Sequence, residues 1–121
     1  MRVFYFLSSC DTCKRILAEL PLDSSIAQID IKKNPLTASQ LAQLHALAGS
    51  YEALFSKRAQ LYKQRCLKDQ ILSENDIKDL LLEHYTFLKR PIIIFNDNIF
   101  VGNSKKTIQA AKTAIHETSI L

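Results

Sequence analysis

No apolar stretch in this sequence is long enough to span a bilayer or to form the core of a signal peptide. The chain runs from Met1-Arg2 straight into a strand pattern, so a cytoplasmic protein is expected, in a compartment where thiols stay reduced. Internal repeats and low-complexity segments are also missing, which excludes solenoids and fits a single domain over residues 1–121. A chain of that size buries roughly two-thirds of its unfolded surface. There is no solid basic run. The net charge of +4 is spread over Lys32-Lys33, Lys57-Arg58, Lys89-Arg90 and Lys105-Lys106, with no nucleic-acid motif beside it. Small anions or an acidic partner surface can exploit that bias, but direct nucleic-acid binding is not expected. Cysteine is sparse: Cys10 and Cys13 make one Cys-x-x-Cys, and Cys66, His45, His84 and His116 are scattered without ligand spacing. A closed zinc site needs four ligands, so no metal is expected.

What the chain does have is Ser8-Ser9-Cys10-Asp11-Thr12-Cys13-Lys14-Arg15. Before it, Val3-Phe4-Tyr5-Phe6-Leu7 reads as a short strand. After it, Cys13, Ile16, Leu17 and Leu20 fall on one helix face. Cys10 is thus expected where a buried strand meets a helix N-terminus, beside unpaired N–H groups that favour a thiolate. Lys14 and Arg15 add positive charge and Asp11 opposes it, which predicts a nucleophilic Cys10 with a lowered pKa. Cys13, on the buried side of the turn, reads two ways: a resolving thiol, or a small apolar filler.

Taken in order, Pro21 ends the first helix and Ile26-Ala27-Gln28-Ile29-Asp30-Ile31 alternates like a strand, making a βαβ unit with two parallel strands. Thr37 with Gln40 opens a helix burying Leu41, Leu44, Leu47 and Ala48, and Gly49 stops it. Ser50 to Leu72, with Tyr51, Leu54, Phe55, Leu61 and Tyr62, reads as short helices with irregular joins. Ser73 with Asp76 starts another helix, whose apolar line is Ile77, Leu80, Leu81 and His84; the histidine is expected partly buried with a local hydrogen-bond partner. Pro91 to Phe95 is a near-continuous apolar run, the mark of a strand covered on both faces. Asn96-Asp97-Asn98 turns it back into Ile99-Phe100-Val101, and Ser104 caps a last helix carrying Ile108, Ala111 and Ile115 and ending near Glu117. The predicted class is α/β: a thioredoxin-like fold with a mixed four-stranded sheet and a helical insertion, about residues 37–87, between β-α-β and β-β-α halves.

Cys10 to Lys14, Lys57-Arg58 followed by Tyr62, Leu88-Lys89-Arg90-Pro91-Ile92, and Phe100-Val101-Gly102 stand in an order that resembles the arsenate reductase ArsC/Spx family over nearly the full chain. The resemblance implies that Cys10 is the nucleophile, with Thr12 and Lys14 beside it. It also implies that Arg90-Pro91 is a cis peptide next to the thiol and that Arg58 faces the site. Guanidinium forks of this kind stabilise a thiolate and hold an oxyanion.

Three subgroups differ in what they imply. The glutaredoxin-coupled arsenate reductases use a third arginine that falls near Gly102-Asn103, where this sequence has none, and Lys105 and Lys106 are point charges instead. The YffB-like proteins, read as glutathione-dependent thiol reductases, show a closely similar Cys-Asp-Thr motif. The Spx-like regulators carry Cys-x-x-Cys as a redox switch and dock on the RNA polymerase α subunit; the tail they carry beyond the last helix is not found here, which is expected to weigh against that role. The resulting expectation is a thiol oxidoreductase with no bound cofactor, using Cys10, Cys13, Arg58 and Arg90. Its substrate is arsenate or a glutathione-linked disulfide, and its donor is glutathione or glutaredoxin. The rival is a redox regulator. Cys66, in Lys63-Gln64-Arg65-Cys66, reads as an inert thiol, with a distant second redox partner as the alternative.

Overall fold

The run Arg2–Phe6 (β1) forms the inner strand on which the sheet is built, because its aromatic and branched residues fit a covered pleated surface. The computed structural model describes residues 1–22 and 24–119, with side chains through 117. These form four strands and five α-helices: β1, Asp11–Glu19 (α1), Ala27–Asp30 (β2), Ala38–Ala48 (α2), Gln60–Gln64 (α3), Glu74–Glu83 (α4), Ile92–Phe95 (β3), Asn98–Val101 (β4) and Lys105–Ser119 (α5). The sheet order is β2-β1-β3-β4, with β1 and β2 parallel and the other two pairings antiparallel. The mixed sheet and its connections are those of the thioredoxin-like α/β class.

The chain divides into two units: residues 1–34 together with those from Arg90 onward, and residues 35–89. The second unit holds α2, α3 and α4.

In the first unit, Phe4, Ile93 and Phe95 pack with Ile16 and Leu20, with Ile26, and with Ile108, Ala111 and Ile115 of α5. Phe4 and Ile93 are register partners, so one face of the two central strands supplies the middle of this core. Ile92, Ile93 and Ile94 have no exposed surface, as the uninterrupted apolar run requires. Asn96 turns the chain with φ at 59°, a left-handed conformation asparagine tolerates, and Asn98 joins β4 instead of the turn. β2 is shorter than its alternation suggests. Ile26 and Ile31 are buried just outside it, while Ala27 and Gln28 on this edge strand are exposed.

In the second unit the two expected capping boxes are present. Thr37 Oγ1 accepts the Gln40 N–H and Gln40 Oε1 accepts that of Thr37; Ser73 and Asp76 repeat the pattern. Gly49, with φ at 89°, ends α2 in the left-handed region where a Cβ would be strained. Leu41 and Leu44 are buried, whereas Leu47 and Ala48 are only partly so. The irregular middle consists of single 3-10 turns around α3. It is held by Phe55 stacked on Phe87 at 5.6 Å and by Glu74, whose carboxylate accepts the N–H groups of Tyr51 and Glu52 at 2.8 and 3.1 Å. His84 lies just past α4, and its Nδ1 accepts the Thr86 N–H at 3.2 Å, the local partner expected of it.

Candidate functional site

Cys10 is the residue from which α1 starts. Its backbone is extended (φ −93°, ψ 115°), its carbonyl accepts the Lys14 N–H at 3.1 Å, and its own N–H is donated to Leu7 O at 3.0 Å. The strand therefore ends in a tight loop that delivers the thiol, half-buried, to the helix mouth. No geometric capping bond closes on Sγ, yet the N–H groups of Cys13 and Thr12 are directed at it. Burial raises the Cys10 pKa. The Cys13 N–H, the Cys13 thiol, the Thr12 N–H and the Arg90 guanidinium outweigh that, so the net shift is down.

Cys13 moves the other way. It has no exposed surface, and burial pushes its thiol up to about 11, with the Cys10 side chain adding to the rise against a hydrogen bond from the Leu7 backbone. The side-chain hydrogen bond between the two lowers Cys10 and raises Cys13, so Cys13 is the donor of the pair.

Arg90 is half-buried, and the Arg90-Pro91 bond is cis, as the resemblance implied. Pro91 is buried and its carbonyl accepts the Gly102 N–H at 2.9 Å, tying the segment before β3 to the end of β4. Gly102 makes that return with φ at 92°. At the place of the missing third arginine stands Asn103, exposed; Lys105 and Lys106 are exposed on the first turn of α5, capped by Ser104 Oγ on the Thr107 N–H at 3.1 Å.

The first unit so brings together Cys10, Thr12, Cys13, Arg90 and Pro91. Lys14 and Arg15 are exposed on α1, and Arg90, far along the chain, adds its positive charge to the influences that lower the thiol. Arg58 belongs to the second unit, where it is exposed with its N–H on Ser56 Oγ at 3.4 Å. Cys66 is in that unit too, exposed, with a left-handed backbone at φ 53°. Among the described residues, no three His, Cys, Asp or Glu side chains gather as a metal site, and no helix is long and apolar enough to cross a membrane.

Sequence reasoning passed over Ser8 and Asp30. Asp30 is the one buried charged side chain among the described residues, and it accepts the Ser8 hydroxyl at 2.5 Å. The signal was available: an acid between Ile29 and Ile31 in a strand must have a partner if it is buried.

The lowered pKa has a direct consequence. With Cys66→Ser removing the second accessible thiol, the iodoacetamide alkylation rate of Cys10 should rise with pH through a midpoint below the ordinary thiol value of about 8.5. A midpoint at or above that value would contradict the electrostatics described for the helix mouth.

Comparison with known proteins bears on the family. A Lactiplantibacillus plantarum protein named global transcriptional regulator Spx is 25% identical over 111 residues, covering 90% of this chain and 84% of the relative. The structure of an arsenate reductase from Vibrio cholerae superposes with a TM-score of 0.76 at 22% identity, covering 91% of this chain and 96% of that one. A Streptococcus mutans structure described as a possible arsenate reductase has a TM-score of 0.66 at 30% identity, covering 87% and 92%. The sequence model of the ArsC family matches residues 5–111, from the middle of β1 into α5, and the chain belongs to the ArsC family.

Proposed function

We propose that this chain is a thiol oxidoreductase acting on glutathione-linked or other disulfide substrates. Cys10 is the nucleophile, Cys13 the resolving thiol, and glutathione or glutaredoxin the electron donor. The reading is carried by the opposite tuning of two sulfurs one helical turn apart: Cys10 accessible and lowered, Cys13 sealed and raised to about 11. In the first step the Cys10 thiolate attacks one substrate sulfur, forming a mixed disulfide and expelling the other half as a thiolate that takes a proton from solvent. Before that step, a pKa of about 11 leaves roughly one Cys13 in ten thousand ionised at pH 7. Once Cys10 is bonded to substrate its negative charge is gone, and with it one cause of the Cys13 shift. Cys13 then loses its proton, attacks Cys10 Sγ, and releases the second substrate thiol. Two external thiols reduce the resulting Cys10–Cys13 disulfide and leave as a disulfide, which closes the electron balance.

Arg90 supports the thiolate and is placed to favour anionic substrates such as the glutathione carboxylates. Arsenate is a second substrate class within this reading. It is disfavoured by Asn103, Lys105 and Lys106 standing where the resemblance leads one to expect a third guanidinium. A role for Arg58 rests on the resemblance alone.

The test is turnover of a glutathione–peptide mixed disulfide with glutathione, with and without glutaredoxin, beside an arsenate assay. Cys13→Ser should lower disulfide turnover by about tenfold or more and accumulate a Cys10–glutathione adduct visible by mass. Full turnover in that variant would hand resolution to the external thiol. The relatives named as global transcriptional regulators favour a second reading: the redox-sensing regulator, binding the RNA polymerase α subunit, that the sequence resemblance implies. Capture of that subunit dependent on the Cys10–Cys13 redox state, with no turnover of either substrate, would replace the enzyme by the regulator.

A further inference from the structure

We propose that Asp30 is a positioning residue for Cys10, acting through the Ser8 hydroxyl to fix the loop that carries the nucleophile. The inference builds on the thiol chemistry proposed above.

A carboxylate that is 7% exposed is costly unless its oxygens are used, and both are used here. Oδ2 accepts the Ser8 hydroxyl at 2.5 Å, a short charge-assisted bond, and Oδ1 accepts the Lys32 N–H at 3.0 Å. The backbone around it is equally committed. Asp30 pairs in register with Phe6, the Ile31 N–H donates to Phe6 O at 2.9 Å, and the Asp30 carbonyl accepts the Asn34 N–H at 2.9 Å. Asp30 is therefore a fixed post at the end of β2, level with the last residue of β1.

Four residues, Leu7 to Cys10, must carry the chain from that point to the mouth of α1. They are held at three places: Leu7 O by the Cys10 N–H, the Leu7 backbone by the Cys13 thiol, and Ser8 by Asp30. The first two belong to the turn itself. Ser8 is the tether that ties the loop to the neighbouring strand. The Ser8 hydroxyl also holds the Asp30 carboxyl below the usual carboxylate range despite its burial, so the tether persists at every pH where a thiol titrates. A positioning role and a purely electrostatic one make opposite demands, since a negative charge acting directly on the thiol would raise its pKa.

That opposition gives the test a sign. In the Cys66→Ser background, the pH profile of Cys10 alkylation is compared for the parent, Ser8→Ala, Asp30→Asn and the double variant, with urea midpoints measured on each. If Asp30 positions the loop, each single change moves the alkylation midpoint upward by about half a unit or more, slowing the reaction at pH 6 about threefold. The double change adds little to either one, and Ser8→Thr, which keeps the hydroxyl, restores the parent profile. If Asp30 acted on the thiol only as a charge, Asp30→Asn would move the midpoint downward and Ser8→Ala would leave it alone. If the bond only stabilised the fold, urea midpoints would fall with no change in the pH profile. Either result overturns the inference, and Ser8→Ala decides it should Asp30→Asn fail to fold. An ordinary thiol midpoint in the parent would instead remove the proposed chemistry, whatever Ser8 does.

Discussion

Cys10→Ser is expected to lower thiol-dependent turnover by roughly three orders of magnitude or more, to the level of the reaction without protein. A serine hydroxyl in the same position gains nothing from N–H groups and a guanidinium that favour an anion, because its own ionisation lies far above any working pH. Among the described residues no histidine, aspartate or glutamate forms a hydrogen bond to Cys10 that would serve a hydroxyl as its base. The fold should not suffer. The thiol closes no capping bond, and serine is a preferred residue at a helix start, so the urea midpoint should hold or rise slightly. Lost turnover with an intact midpoint identifies the sulfur as chemical; full turnover in the variant would remove the nucleophile from the mechanism.

Phe4→Ala should have the largest effect on stability, about 3 to 5 kcal/mol, against a total of about 5 to 15 kcal/mol for an ordinary domain. Phe4 has no exposed surface, lies with Phe6 at a ring separation of 5.7 Å, and packs in one cluster with Ile16 of α1, Ile93 of β3 and Ile108 of α5. Removing the ring leaves a cavity beneath the helix that starts at Cys10, so the urea midpoint should drop sharply at unchanged slope. A loss below about 1 kcal/mol would mean that this core closes without its central ring. The two experiments bracket the first unit, one removing its chemistry and the other its support.

Much of the fold is legible in the sequence, and the reasons are local. Thr37, Gly49 and Ser73 act on backbone groups within a few residues, so their helix ends could be placed from chain order alone. Ile92 to Phe95 declared a covered strand by having no polar residue, and Cys10 declared its place by standing between a strand pattern and a helix pattern. What was not legible was long-range. Arg90, eighty positions from Cys10, adds its charge at the thiol, and no local pattern around Cys10 announces that neighbour. Ser8 and Asp30 are joined only because β1 and β2 run parallel in one particular register, and that register cannot be read from either strand. The segment from Ser50 to Leu72 has no strong period to read, since 3-10 turns and one five-residue helix are set by tertiary packing.

The strand order β2-β1-β3-β4 has a bearing on how the protein is made. β1 and β2 leave the ribosome early, but the inner neighbour of β1 and the arginine that conditions the sulfur are encoded beyond the whole inserted unit. At about 5 to 20 residues per second, the eighty positions from Cys10 to Arg90 take roughly 4 to 16 seconds to translate. Throughout that interval the nascent thiol lacks its distant cation, and β1 offers an unpaired edge. A newborn chain thus carries Cys10 with the influences of its own helix but without that cation until its last third emerges, and it depends on its surroundings to keep that edge from pairing with another chain.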